Sequence, residues 1–303
     1  MGSHLAESLV KLGARVFILD ILMLPKSYFE SQNLKHKTTV FMSDLRDIDA
    51  LRKIIKENKI THIFHLGAQA LVPLAFEDPR ATFETNIMGT VNVLEAAREL
   101  GSVEAVLVAS SDKAYGKDCQ NALETQKVFG DHPYDASKAA TDMVAQTYFK
   151  TYGLPVVIAR FGNIFGPGDL YFSRLVPGIM QAIVQKQTLQ IRSDGQFRRD
   201  YLYVKDVAEG YVKMAENIQQ IKGEAFNFST NWNYSVIELI EKIGEISGAP
   251  CRYKILNIQK NEIPAQSLNS QKAKKVLSWQ PKFAFQQAVK ETFEWYQNYF
   301  NQT

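Results

Sequence analysis

Apolar positions along the chain follow two alternating rhythms. Residues 3–12 place Leu5, Leu9 and Leu12 on one face of a helical repeat, and Gly13 closes that segment. RVFILD (15–20) is a short apolar run of the buried-strand kind, ending on an acid. A similar run over 39–42 leads into SDLRD and a helical phase carrying Ile48, Leu51 and Ile55. HIFHL (62–66) predicts a third strand, 81–100 a long helix, and 105–110 a fourth strand. From Tyr134 the pattern is helical, with Ala140, Met143, Val144, Thr147 and Tyr148 turned inward, and PVVIAR (155–160) is the next strand. Strands alternating with helices predict an α/β chain with a doubly wound parallel sheet. There is no internal repeat and no low-complexity linker.

Past Arg160 the rhythm changes. RFGNIFGPGD (160–169) is glycine-rich and loop-like, and an apolar helix runs from Arg174 to about residue 184. Residues 192–207 mix a turn, arginines and aromatic side chains, and AFNFS (225–229) predicts a last strand returning to the sheet. Helical patterns follow at 235–247, 270–277 and 284–299. The expected division is a first domain of 1–165 with 200–229 returning to it, and a smaller interleaved α/β domain of 166–199 and 230–303. The smaller one should cap the carboxyl edge of the sheet, where open α/β sheets bind ligands.

Composition narrows the classes. At 303 residues there is room for a sizeable core, and 46% hydrophobic with 22% charged residues is ordinary for a globular enzyme. A net charge of +3, with no basic cluster interleaved with aromatics, argues against nucleic acid. Cys119 and Cys251 show no metal-ligand spacing and no disulfide framework, which suits a reducing compartment. No run approaches the ~18 apolar residues of a membrane span, and no signal peptide precedes the first helix. The expectation is a soluble cytoplasmic protein without a membrane partner.

The chemistry concentrates at 107–138. The apolar run ends in Ser110, Ser111, Asp112 and Lys113; Tyr134 and Lys138 then sit four apart on one helical face. A free tyrosine has a pKa of about 10 and is a poor base near neutrality, and a nearby cation is the ordinary way to lower it. Tyrosine and lysine four apart are commonplace by themselves; the serines and acid at the preceding strand end make the pattern informative. Asp20 falls where a dinucleotide-binding unit holds ribose hydroxyls, and an acid there repels a 2′-phosphate, favouring NAD over NADP. MGSHLAESL reads as the tail of a glycine-rich turn with Gly2 as its third glycine. The first strand and first two glycines of such a unit are not in the chain, so the sheet is expected to lack its first strand and NAD to bind weakly.

These residues resemble the extended short-chain dehydrogenase/reductases, and within them the nucleotide-sugar 4,6-dehydratases of the NAD-dependent epimerase/dehydratase family. The resemblance runs from Gly2 through SDLRD (43–47), FHLGAQ (64–69), NIMGT (86–90), SSDKAYG (110–116), PYDASK (133–138), RFGNIFGPG (160–168), DGQFRRDY (194–201) and KAKKVLSW (272–279). Most such dehydratases carry Thr-Asp-Glu where this chain has Ser111, Asp112 and Lys113, and an Asp-Lys pair resembles the CDP-glucose branch. The 4-epimerases carry small neutral residues after the serines.

The resemblance implies oxidation at C4 by NAD, loss of water across C5–C6, and return of the hydride to C6. It assigns Tyr134 to the C4 hydroxyl proton, Lys138 to the tyrosine and the nicotinamide ribose, Ser111 to the C4 oxygen and Asp112 to the departing hydroxyl. Lys113, in place of glutamate, is either a neutral base, a relay through water or a stabiliser of the enolate. Asp44 and Leu45 should flank the adenine, and Ala68 and Asn86 should line the NAD channel. Asn163, Arg174 and Arg199 should meet the substrate diphosphate, Arg198 being a surface neighbour, and Glu262 and Gln266 should read the nucleotide base. His65 and His132 are expected to be structural, and Trp279 and the C-terminal helix core. A homodimer through the helices at 81–100 and 134–152 is implied in the same way. The alternatives are a nucleotide-sugar 4-epimerase and a truncated, inactive NAD-fold protein.

Overall fold

The structure is a computed structural model that describes residues 1–117, 119–258 and 263–301. The strands are β1 (Phe17–Asp20), β2 (Thr39–Met42), β3 (His62–His65), β4 (Ala105–Ala109), β5 (Val156–Phe161), β6 (Asn163–Phe165), β7 (Thr188–Ile191), β8 (Arg198–Tyr203), β9 (Ala225–Phe228), β10 (Asn233–Ser235) and β11 (Arg252–Ile255). The central sheet is parallel, in the order β3-β4-β5-β9. β1 and β2 form a parallel ladder of their own, and among the described residues none joins them to β3. Two smaller sheets, β10-β8-β6 and β11-β7, come from the later part of the chain.

Alternation along β4 explains why it has no polar position. Val106 and Val108 pack with Leu51, Ile55, Val93 and Leu94 of the helices Ile48–Asn58 and Gly89–Leu100. Leu107 and Ala109 face the other way, onto Leu5 of the Gly2–Lys11 helix and Val207 and Tyr211 of the Val204–Glu216 helix. A strand covered by helices on both faces must be apolar throughout, since successive side chains point to opposite sides. A second core forms around Tyr201 and Tyr203 of β8, Ile179, Leu239 and Tyr296. Trp279 is buried against the sheet, where Nε1 donates to Asp206 O at 3.1 Å.

Three sequence expectations need correcting. In the Pro133–Tyr152 helix, Met143 and Thr147 face outward, and the buried positions are Asp135, Ser137, Lys138, Ala139, Thr141, Asp142 and Ala145. The polar residues Lys138 and Asp142 set that inner face, because both have partners within the fold. The helical stretch expected over 81–100 begins at Pro79 and contains a π-helical turn at Glu84–Met88, centred on Asn86. The loop-like 160–169 contains β6, which pairs in parallel with β8.

The Pro133–Tyr152 helix, which carries Tyr134, is started deliberately. Pro133 occupies the first turn, where no intrahelical N–H is needed, and Tyr134 N donates to the His132 ring at 3.3 Å. Gly130 has no room for a side chain: a Cβ there would lie 2.1 Å from Ala136 N. The loop entering the helix is therefore pressed against its first turn.

Candidate active site

β4 carries its chain out of the core into a polar turn. Ser110 and Asp112 are buried, Asp112 at 3% exposure, although both follow directly on a wholly apolar strand. Ser111 Oγ donates to Asp112 Oδ1 at 2.9 Å and accepts from Lys113 N at 3.2 Å, capping the short 3-10 turn Asp112–Tyr115. Ser111 and Asp112 both act on the Tyr134 phenol, the hydroxyl lowering its pKa by hydrogen bonding and the carboxyl raising it by charge. Lys138 Nζ donates to Ala109 O at 3.0 Å, the last carbonyl of β4. Ser111, Asp112, Tyr134 and Lys138 thus converge at one strand end, from two elements 20 or more positions apart.

The expected electrostatics differ in one respect. Tyr134 is pushed up to about 12, first by burial and then by Asp112, while Arg174 and the Ser111 hydrogen bond pull it down. Burial lowers Lys138 to about 8. In this arrangement Lys138 donates to the β4 carbonyl, and burial with Asp112 outweighs the lowering of the phenol that was expected from the lysine.

A buried network sets the helix against the turn. Asp142, one helical turn beyond Lys138, receives Arg160 in bidentate fashion at 2.7 and 2.9 Å, with the two side chains 0% and 2% exposed. Arg160 Nη1 also donates to Tyr115 Oη at 2.6 Å, and Tyr115 Oη donates to Asn227 Oδ1 at 2.8 Å. The polar turn, the tyrosine helix, β5 and β9 are tied in one chain of hydrogen bonds. Sequence reasoning missed it, although an acid four residues after Lys138 lies on the same helical face.

On the far side of the turn, Lys113 Nζ donates to Gln266 Oε1. Gln266, expected from sequence to read the nucleotide base, is fully buried with its side-chain oxygen taken by Lys113. Asp135, next to Tyr134, is buried and raised to about 6, by burial first, with Lys113 and Arg199 opposing and Asp112 adding to the rise. Asp200 is also raised, by burial first, and accepts from Ser229 Oγ, Asn233 Nδ2 and Leu268 N at 2.6–2.8 Å. Neither acid was singled out from sequence. Arg199 is buried, with Nη1 donating to Arg198 O at 2.8 Å. Arg198 pairs with Glu238 at 2.9 Å, a surface neighbour as expected. Arg174 pairs with Asp169 at 3.0 Å and faces Tyr134. Asn163 opens β6, and Glu262 lies outside the described residues.

Three buried polar atoms here have no partner among the described residues: Ser110 Oγ, Asp112 Oδ2 and Gln266 Nε2. Buried polar groups are almost always paired, so a cluster of orphans on one turn and its neighbour marks a place for a polar ligand.

The cofactor residues divide. Asp20 is exposed at the carboxyl end of β1, where Oδ1 accepts from Leu22 N at 3.2 Å and the remaining lone pairs face outward. This exposed acid, and Lys138 with the orphaned Ser110 at the end of β4, are residue types that fit a dinucleotide. Leu45 packs under Gly67 and Gly89; a Cβ on Gly67 would lie 2.6 Å from Leu45 Cδ1. Ala68 follows β3, half-buried, and Gly2 is the first helical residue. Asp44 grips Arg46 at 2.7 Å. Asn86 is spent inside the protein: Oδ1 accepts from Gln69 N at 2.7 Å, and Nδ2 donates to Gln69 O and Ser137 Oγ at 3.0 and 2.9 Å. Its part is to clamp the loop after β3 to the tyrosine helix. His65 is structural as expected, its ring paired with Thr90 Oγ1 at 2.8 Å.

A Ser/Asp turn and a Tyr–Lys helix at the carboxyl edge of a parallel sheet, with a second parallel ladder that ends in an exposed acid, define a Rossmann-type epimerase/dehydratase site. The family model described as GDP-mannose 4,6 dehydratase matches residues 1–292, and the chain belongs to that family. It is 29% identical to the CDP-glucose 4,6-dehydratase of Salmonella typhimurium, over 97% of this chain and 87% of that protein. It is 27% identical to the UDP-glucuronate 4-epimerase of Thermodesulfobacterium geofontis, over 97% and 92%. Among solved structures, the UDP-glucose 4-epimerase of Thermotoga maritima with UDP-glucose superposes with a TM-score of 0.89 at 28% identity, over 99% and 96% of the two chains. The dTDP-glucose 4,6-dehydratase DesIV of Streptomyces venezuelae, with NAD and TYD bound, gives 0.90 at 25%, over 98% and 94%.

Proposed function

We propose that the protein is an NAD-dependent hydro-lyase, a nucleotide-sugar 4,6-dehydratase whose substrate is CDP-glucose and whose product is CDP-4-keto-6-deoxyglucose. The observation that carries this reading is Asp112: a buried carboxyl, tethered through one oxygen to Ser111 and with the other unpaired, facing Tyr134. A 4-epimerase needs no acid there. The Asp112–Lys113 pair and the similarity to the Salmonella enzyme support CDP-glucose over other donors.

Bound NAD would supply the hydride acceptor for C4 and the hydride donor for C6, and its positive ring would favour the tyrosine phenolate. Tyr134 takes the C4 hydroxyl proton, and Ser111, bonded to both Tyr134 and Asp112, orients that oxygen. Lys138 holds the nicotinamide ribose from the end of β4, and Asp20 the adenosine ribose hydroxyls. Once C4 is a ketone the C5 proton is acidic and passes to Lys113, as a neutral amine or through a water, while Asp112 hands its proton to the C6 hydroxyl, which leaves as water. Arg199, with Asn163 and Arg174, grips the diphosphate, guanidinium groups being suited to bidentate phosphate binding.

Residues 1–165 with 200–229 serve NAD, and 166–199 with 230–303 serve the nucleotide sugar. The core around Ile179, Leu239 and Tyr296 supports that division, with Tyr201 and Tyr203 of β8 joining it and Ala273, Leu277 and Trp279 packing on the central sheet. No helix of the described residues is long and apolar enough to cross a membrane, and Cys119 and Cys251 are both free, which supports a cytoplasmic enzyme. Met88 and Met143 lie exposed on the helices over 79–100 and 133–152, which supports a homodimer through those faces.

The deciding experiment offers CDP-glucose, dTDP-glucose and GDP-mannose with NAD. A 4-keto-6-deoxy product lighter by one water, formed fastest from CDP-glucose, is expected. The second reading, a 4-epimerase, is favoured by the epimerases among the relatives. It requires an isomer of unchanged mass and tolerance of Asp112→Ala.

A further inference from the structure

Gln266 is held at the catalytic turn by a strap of backbone contacts. Arg198 N donates to Pro264 O at 2.8 Å, and Gln266 N donates to Arg198 O at 3.1 Å, so residues 264–266 run beside β8. Ser267 N donates to Cys119 O at 2.7 Å, and Leu268 N to the buried Asp200 carboxylate at 2.8 Å. Asn233 Nδ2 donates to Gln266 O at 3.0 Å. With its backbone anchored on both sides, Gln266 carries a fully buried carboxamide to the turn after β4, where Lys113 Nζ donates to Oε1. An amine and an ammonium both carry N–H donors, so this contact places the carboxamide whatever the protonation of Lys113.

With Oε1 taken, Nε2 is left with its N–H donors and, among the described residues, no acceptor. Asp112, the neighbour of Lys113 on the same turn, has a buried Oδ2 that is equally without a partner. Buried polar groups are almost always paired, so the two atoms together mark a position for one polar ligand atom. A hydroxyl oxygen suits them both: one lone pair accepts from an amide N–H and the other from a carboxylic acid. The turn also carries Ser111, which donates to Asp112 Oδ1 at 2.9 Å, and Lys138 Nζ reaches the last carbonyl of the strand beneath at 3.0 Å. The oxygen that belongs at this turn is therefore one of the hexose, where the reaction takes place, and not one of the nucleotide base.

We propose that Gln266 contacts the sugar, Nε2 donating to the C6 hydroxyl oxygen alongside the Asp112 carboxyl, and so holds the leaving group instead of reading the base. This rests on the dehydratase reading. As the C5 proton passes to Lys113, the C5–H electron pair forms the C5–C6 double bond and the C6–O pair goes to the oxygen. That oxygen takes the Asp112 proton and departs as water, while Gln266 exchanges no proton. Its N–H donor counts most while negative charge builds on the oxygen, before the Asp112 proton has crossed. One carboxamide thus spans the proton acceptor, through Oε1, and the leaving group, through Nε2.

The test compares the sugar nucleotide turned over fastest with its 6-deoxy analogue, binding being measured with oxidation blocked by Tyr134→Phe. The 6-hydroxylated sugar should bind about fivefold to tenfold more tightly, and Gln266→Met in that background should bring the two within about twofold. With Tyr134 intact, Gln266→Met should slow water loss about 10- to 100-fold and leave the single-turnover rise of NADH absorbance within about threefold. The kcat/KM ratios among the cytidine, thymidine and uridine donors should stay as in wild type. Gln266→Glu keeps an acceptor for Lys113 but has no amide donor. It should lose the 6-hydroxyl preference in the same way, and it decides the matter if Gln266→Met does not fold. A changed ratio among the donors with the 6-hydroxyl preference intact would overturn the proposal and return Gln266 to the base. Equal slowing of C4 oxidation and water loss would mark a merely structural residue and overturn it as well. If the wild-type protein yields only an epimer, the dehydratase reading fails, and the paired binding constants still decide whether Nε2 meets the 6-hydroxyl.

Discussion

Two parallel strands, β1 in its two-stranded ladder and β4 in the central sheet, present an acid at their carboxyl ends in opposite ways. Asp20 closes β1 in the open, its lone pairs available to water. Asp112 follows β4 into the interior, with one oxygen tied and the other unpaired. The strands beneath them differ alike: β4 and β5 are buried at every position, whereas β1 and β2 are half-exposed. An exposed carboxylate costs little to keep and suits hydroxyl recognition. A buried carboxyl with an orphaned oxygen is costly unless a ligand satisfies it. The wholly buried strands are the part of the molecule that can hold such a group in place.

The comparison breaks most sharply at Asp112. Asp112→Asn should slow water loss by roughly 10²–10⁴-fold while leaving the single-turnover absorbance of cofactor reduction nearly unchanged. Asp20→Asn should weaken NAD binding by about tenfold at most, since one hydrogen bond is at stake. Equal losses of water elimination in the two variants would erase the distinction.

Next in size is the buried ion pair that secures the tyrosine helix. Asp142→Ala leaves Arg160 charged and unpaired in the interior, and should destabilise the fold by about 3–5 kcal/mol in urea titration. A loss near zero would mean that the pair does not lock helix to sheet. The strands themselves supply the third contrast. Leu107→Ala in β4 should cost about 2–5 kcal/mol, but Val40→Ala in β2 only about 1 kcal/mol. Reversal of that order in unfolding midpoints would show β1–β2 to be the more tightly integrated unit.

The smallest effect is a pH dependence of stability. Burial lowers both His4 and His65 to about 3, against an unfolded value near 6.5. Their contribution is fully present above pH 6.5 and is withdrawn as pH falls, because the unfolded chain then binds more protons. Each approaches a slope of about 1.4 kcal/mol per pH unit. Asp135 and Asp206, raised by burial to about 6, act in the opposite sense below that pH. Their protonation favours the fold down to the ordinary carboxylate value. His65→Asn should therefore lose less stability than wild type between pH 7 and 5. An identical acid limb in both proteins would exclude His65 as a contributor.

Much of the frame was legible in advance because it is written in local rhythm. The runs at 15–20, 39–42, 62–66, 105–110, 155–160 and 225–229 are all strands, and the Tyr134–Lys138 spacing placed both side chains toward one strand end. Reading failed where a polar residue was assumed to face water. Met143 was turned inward on hydrophobicity, yet it is 58% exposed and Asp142 is buried in its stead. The pairing with Arg160 that reverses the preference depends on a strand 18 positions away. β6 was hidden because Asn163–Phe165 is too short to show a period.

What the chain determined by itself is the order of its elements and the residue types brought to the edge of the sheet. A short repeat of two or 3.6 residues is enough to decide which side of a strand or helix is apolar. Which partners those polar residues would take was decided only by the tertiary structure. Gln266 met Lys113, and Asn86 closed on Gln69 and Ser137, across separations no local pattern can encode. The physical reason is that a buried hydrogen bond or ion pair is chosen by exclusion of water. That exclusion exists only once distant segments have packed.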